Sequence, residues 1–127
     1  MIDHLGISVR DFEQSRAFYL AALAPLGITT IMQPPLELTG GKRVAGLGSG
    51  GKPYFWIHEG QPGEGTHLAL RADTRAQVDA FHQAALAAGA KDNGEPGLRP
   101  HYHPDYYGAF VIDPNGINLE AVCHRPE

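Results

Sequence analysis

The chain of 127 residues is long enough for one domain that buries most of its apolar surface, and 43% apolar with 19% charged residues is ordinary globular composition. A net charge of −4 leaves no basic footprint for nucleic acid or an anionic membrane surface. No window approaches the roughly 18 apolar residues of a spanning helix, the opening stretch MIDHLGISVRD lacks a signal-peptide pattern, and a single cysteine, Cys123, forbids an internal disulfide and predicts a reducing, cytoplasmic setting.

The first predicted element is the strand HLGISV, whose alternation sets Leu5, Ile7 and Val9 on one face and His4, Gly6 and Ser8 on the other. A helix follows, opened by Asp11-x-x-Gln14 in the manner of a capping box and closed near Pro25 to Gly27. Three shorter strands are predicted next, over 28–32, 43–47 and 54–58. The series then starts again. Laying His67 over His4, an offset of 63 residues, gives nine identities in 21 gapless positions, among them His-Leu at the strand start and Ala-Phe in the helix. The second series has the strand HLALRA, a helix capped by Thr74-x-x-Gln77 and ending near Gly89, a weak strand near Leu98, and strands over 109–112 and 118–123. The expected fold is therefore α+β, one domain over 1–127 built of two βαβββ modules, the first about 1–60 and the second about 64–127, forming a concave mixed sheet. The glycine-rich loops GSGGKP and EGQPGEG follow no strand into a helix and are read as turns, not phosphate cradles.

Glu120 lies in the middle of the last apolar strand, NLEAVC, where a carboxylate is costly without a partner. If Leu5 and Leu68 face the helices, His4 and His67 face the other way, and the same parity in the last strand turns Asn118, Glu120 and Val122 toward the histidines. Two imidazoles and a carboxylate from distant strands make a facial set that holds a divalent cation and leaves positions open for substrate or oxygen. The competing reading pairs Glu120 with Arg43 or Arg71.

The βαβββ duplication, the strand-opening histidines and the hairpin DPNGxxxE together resemble the vicinal oxygen chelate superfamily, which includes glyoxalase I, extradiol dioxygenases, fosfomycin-resistance enzymes and bleomycin-resistance proteins. The resemblance implies a metal enzyme acting on a small substrate chelated through two adjacent oxygens, by dioxygenase or lyase/isomerase chemistry. It implies His4, His67 and Glu120 as metal ligands, with Fe2+ or Mn2+ favoured and Zn2+ or Ni2+ as alternatives. It also implies a homodimer in which His4 meets His67 and Glu120 of the partner. The repeat offset puts Ile57 at a fourth ligand place that glyoxalase I fills with glutamate; a one-residue slip would bring Trp56 or His58 there, and only His58 could ligate. Extradiol dioxygenases carry a tyrosine where Phe110 stands, so Tyr106 or Tyr107 would have to replace it. In the loop HYHPDYYG, His103 is the candidate acid/base, with His101 equally placed, and Tyr107 the candidate hydrogen-bond donor. His58, His82 and His124 are expected to be bystanders. The alternative function is metal-free sequestration of a small molecule or drug, as in bleomycin resistance.

Overall fold

Two four-stranded mixed sheets, each drawn from one half of the chain, carry two helices between them in the computed structural model, which describes residues 2–127. In the first half β1 (Leu5–Val9) runs parallel to β4 (Lys52–Glu59), which continues antiparallel to β3 (Val44–Ser49) and then β2 (Thr29–Met32). The second half repeats the order with β5 (His67–Arg71), β8 (Asn118–Cys123), β7 (Tyr107–Ile112) and β6 (Lys91–Leu98). Helix α1 (Phe12–Leu23) and helix α2 (Arg75–Ala87) cover one face of the sheets and pack on each other.

Both predicted caps form. The Asp11 carboxylate accepts from the Gln14 amide at 3.0 Å and the Thr74 hydroxyl from the Gln77 amide at 3.1 Å, satisfying donors that the first helical turn leaves orphaned. The repeat extends into the core: Phe18 and Phe81, at matching places in the helices, are both buried, and covering a side chain of that size is worth about 1.5–3 kcal/mol. The face of β1 that carries Ile7 and Val9 lies against the helices as the alternation required.

Strand β6 is longer than the weak signal near Leu98 suggested. KDNGEPGL has almost no strand character, and Pro96 has no amide to donate, so it is tolerated only at the sheet edge and with breaks in register at Gly94 and Gly97. The carbonyls this releases are taken up by Arg99, which donates to Gly97 at 2.8 Å and Glu95 at 2.7 Å.

The halves are joined by a buried polar network. The turn Asp113-Pro114-Asn115-Gly116 of the β7–β8 hairpin inserts into the corner between β1 and α1. Asp113 accepts from the Tyr19 hydroxyl at 2.6 Å and from the amides of Asn115 and Ile117 at 2.8 and 2.7 Å. Asn115 accepts from the Arg10 amide at 3.0 Å and donates to the Ser15 hydroxyl at 2.9 Å. Tyr19, Ser15, Asp113 and Asn115 are all buried, and burial raises the Tyr19 phenol far above the ordinary tyrosine range. The hairpin that carries Glu120 is thus clamped to the other module.

Candidate active-site cleft

The sheet face opposite the helices in the second module holds a cleft of about 600 Å³ lined by His67, Tyr102, His103, Tyr106, Phe110, Asn118 and Glu120. Register sets its floor: Ala69, Glu120 and Phe110 are neighbours across β5, β8 and β7, and His67 pairs with Asn118. Period-two alternation therefore delivers the histidine and the carboxylate to one face, as the sequence parity predicts.

Glu120 is 1% exposed, and both its oxygens are engaged. Oε1 lies 3.1 Å from Nε2 of His67, and Oε2 accepts a hydrogen bond from the Tyr106 hydroxyl. Arg43 and Arg71 are not its partners; the Arg43 guanidinium lies 3.7 Å from Glu13. Tyr106 reaches the carboxylate because residue 108 is glycine: a Cβ there would stand 3.2 Å from the Tyr106 ring and 3.3 Å from Glu120 Oε2. Burial, then the bond to Glu120, pushes the Tyr106 phenol above the ordinary tyrosine range, so it is a hydrogen-bond donor at neutral pH. Nδ1 of His67 lies 3.0 Å from the Asn118 carbonyl, which can only accept, so Nδ1 carries a proton and Nε2 is the nitrogen turned to Glu120. The imidazole stacks on Phe110 at 6.3 Å with 20° between planes.

At the cleft rim His103 accepts from the Asp105 amide through Nδ1 at 3.2 Å, so its Nε2 donates to Nδ1 of His124 at 2.7 Å. Both ring nitrogens of His103 are engaged, one of them by His124, which the sequence reading set aside as a bystander. The two rings stack, and Tyr106 stands edge-on to both. His101 leans on Tyr102 with 50° between the ring planes and lies outside the lining.

Tyr107, the sequence candidate for the donor, is placed elsewhere. It precedes the first inward residue of β7 by one step, so its side chain turns to the helix face, where its hydroxyl donates to Asp79 at 2.6 Å under the Arg75 guanidinium. Tyr106 takes the cleft position. The Asp79 bond, with burial second, pushes the Tyr107 phenol from 10.0 up to about 12. A raised folded value stabilises the fold below the unfolded value and is lost as pH climbs through the folded one. Tyr107 therefore contributes stability that disappears between about pH 10 and 12. Asp79→Ala should return its phenolate absorbance titration toward the ordinary range, and an unchanged titration would mean that Asp79 does not hold this proton.

His4 precedes β1 and is not in the cleft of its own chain. Its Nδ1 donates to Asp3 at 2.7 Å, and Asp3 is also held by Lys52 at 2.9 Å from each oxygen. His4 and Lys52 together keep the Asp3 carboxyl below the usual carboxylate range. His58 lies 3.5 Å from the Ser8 hydroxyl, and His82 is bonded to Asp92 at 3.0 Å. The fourth-ligand place also moves. Gly6 pairs with Trp56, whereas its repeat mate Ala69 pairs with Glu120, so the residue matching Glu120 is Trp56 and not Ile57. Ile57 is buried on the helix side.

The donor set suits a divalent ion. Nε2 of His67 and Oε1 of Glu120 lie 3.1 Å apart on one sheet face, a spacing at which both atoms can ligate one cation side by side. His4 is prepared in the same way, its Nδ1 tied to a carboxylate and its Nε2 free, which is how outer partners orient metal-binding histidines. Among the described residues no three His, Cys, Asp or Glu side chains of one chain are close enough together to hold a metal.

Among curated proteins none matches this chain. A glyoxalase/bleomycin resistance protein of Albidiferax ferrireducens T118 is 31% identical, with 99% of each chain covered and a TM-score of 0.77. Two more distant structures share the fold. The genomically encoded fosfomycin resistance protein of Listeria monocytogenes superposes with a TM-score of 0.69 at 14% identity, over 98% of this chain and 92% of that one. Glyoxalase I of Zea mays does so with 0.71 at 19% identity, over 99% of this chain and 45% of that one. Among the described residues no helix is long and apolar enough to cross a membrane. With the family model matching residues 1–121, the chain belongs to the Glyoxalase/Bleomycin resistance protein/Dioxygenase superfamily.

Proposed function

We propose that the protein is a metal-dependent enzyme whose centre is formed by His67 and Glu120 of one chain and His4 of a second copy. The observation that carries this is the buried Glu120 oxygen 3.1 Å from the imidazole Nε2 of His67, whose Nδ1 is held by the Asn118 carbonyl on the far side of the ring. A bound Fe2+ or Mn2+, with Zn2+ or Ni2+ as alternatives, would supply Lewis-acid stabilisation of charge on two adjacent substrate oxygens. The chain's own residues do the rest. Asn118 orients His67 through Nδ1, Tyr106 immobilises Glu120 with its one hydroxyl proton, and His103 with His124 carries a proton between the cleft rim and water. The substrate is small, as the cleft of about 600 Å³ requires.

A shared site makes a distinctive prediction. Chains bearing His4→Ala and chains bearing His67→Ala should each fail to bind Mn2+ tightly, while a mixture, unfolded and refolded together, should regain one intact site per mixed dimer. Calorimetry on the mixture reads this, and sedimentation of the unaltered protein should show a dimer. A monomer that binds Mn2+ fully would rule the shared site out. Oxygen consumption accompanying turnover would assign dioxygenase chemistry, and turnover without it lyase or isomerase chemistry. Absence of any titratable metal site in the dimer would overturn the metal centre and leave the metal-free sequestering reading in its place.

A further inference from the structure

Module one carries an indole where module two carries its carboxylate. Trp56 stands across β1–β4 as Glu120 stands across β5–β8, and it is half-buried on the face turned away from the helices. The neighbouring strand gives way to it. Gly46 pairs with Trp56, and a Cβ at 46 would meet the six-membered ring of the indole at 2.8 and 2.9 Å, a separation no real side chain tolerates. On the other side a Cβ at Gly6 would meet the His58 imidazole at 3.5 and 3.6 Å and Trp56 Cβ at 3.7 Å, so His58 fills the space that the glycine leaves. Two glycines flanking one tryptophan leave the indole as a broad aromatic surface, with the His58 imidazole beside it.

We infer that Trp56 determines substrate specificity: it closes the place of a fourth ligand and stacks on a planar ring that carries the two coordinating oxygens. The inference rests on the proposed role of His4. In module two the strand-opening histidine and the residue in the Glu120 position are in contact, at 3.1 Å. In module one the paired register begins at Leu5, one residue after His4, and puts Trp56 opposite Gly6 on the face that module two gives to His67 and Glu120, so a surface to which His4 is delivered also meets the face that carries the indole. The receiving wall is already aromatic, with Phe110 and the stacked His67 ring on the floor and Tyr102 and Tyr106 at the side. A slot with aromatic groups on both sides selects a flat π system, and an aliphatic chelator would leave the indole without a partner. One aromatic pair is worth about a 2- to 12-fold change in Kd.

Trp56 is the only tryptophan, so its emission reports on this position alone. The full-length chain, stripped with chelator, is titrated with Mn2+ and then with catechol or glycolate, a planar and an aliphatic probe each carrying vicinal oxygens. Calorimetry and fluorescence are read in parallel. The paramagnetic ion should quench the emission as it binds, and catechol should change it again. Trp56→Leu, followed by calorimetry, should weaken catechol about 2- to 12-fold and leave glycolate and Mn2+ unaltered. Mn2+ and catechol binding with unchanged emission would overturn the role of Trp56 while leaving the metal centre intact, as would equal losses for the two probes in the variant. Protein that binds no Mn2+ refutes the metal centre instead. In that event catechol that still perturbs Trp56 upholds the aromatic wall by itself, and catechol that does not overturns it.

Discussion

Replacing Asp113 with alanine is expected to cost the fold about 3–5 kcal/mol, the largest effect of any single surface-loop substitution in this chain. The residue sits in a turn, where substitutions are usually mild, yet it accepts from the Tyr19 hydroxyl and from the amides of Asn115 and Ile117, all in the interior. Each buried donor left without an acceptor costs about 1–3 kcal/mol, and the three are neighbours, so their costs overlap instead of adding fully. Asp113→Asn keeps one acceptor oxygen and the shape of the turn and should lose less than alanine does. Tyr19→Phe removes the same bond from the other side and also leaves Asp113 short of one donor. Urea denaturation of the three variants measures these differences. A loss below about 1 kcal/mol for Asp113→Ala would show that water replaces the network.

The fold was legible because its signals are local and occur twice. Period-two alternation in HLGISV and HLALRA, capping residues at Asp11 and Thr74, and a common offset of 63 residues each point to the same βαβββ module. The His67–Glu120 pair was legible for the same reason, since parity along a strand decides which side chains share a face. Three features were not. Tyr106 and Tyr107 are adjacent, and which of them faces the cleft depends on where β7 begins; strand parity resolves this only once Gly108 is known to lie on the Tyr106 side. The matching of Trp56 with Glu120 required the true strand register, because the loops of the two modules differ by one residue before the last strand. His124 lies just beyond β8, and only folding back of the 100–106 loop brings His103 to it, a contact across 21 residues with no periodic signal.

For the proposed centre, His67→Ala should lower Mn2+ affinity at least about 100-fold, because loss of a mere outer partner of a metal ligand already costs about 10–100-fold. Glu120→Gln offers a sharper comparison. The carboxamide has the carboxylate's size but not its charge, and its oxygen can still accept from Tyr106. Metal affinity should fall as far as in His67→Ala, with the melting temperature nearly preserved. Tyr106→Phe frees Glu120 Oε2 from its donor without touching the ligand atoms, so it should fall within the outer-partner range of about 10–100-fold. Calorimetric titration of chelator-treated protein gives all three. Wild-type affinity in His67→Ala and Glu120→Gln together would mean that the pair is an internal salt bridge with no role in binding an ion.

The clamp between the hairpin turn and α1 also sets the order of events while the chain is being made. Ser15 and Tyr19 find their partners 100 and 94 residues downstream. At ordinary rates of translation that gap lasts roughly 5–20 s. Throughout this interval the β1–α1 corner is a half-built polar socket, hydrated and without its plug. The final docking closes a loop spanning most of the chain, a step whose entropy is spent before its contacts form, and so it governs the folding rate. Ribosome-bound chains stalled short of Asp113 must therefore carry an open socket that the finished protein never displays.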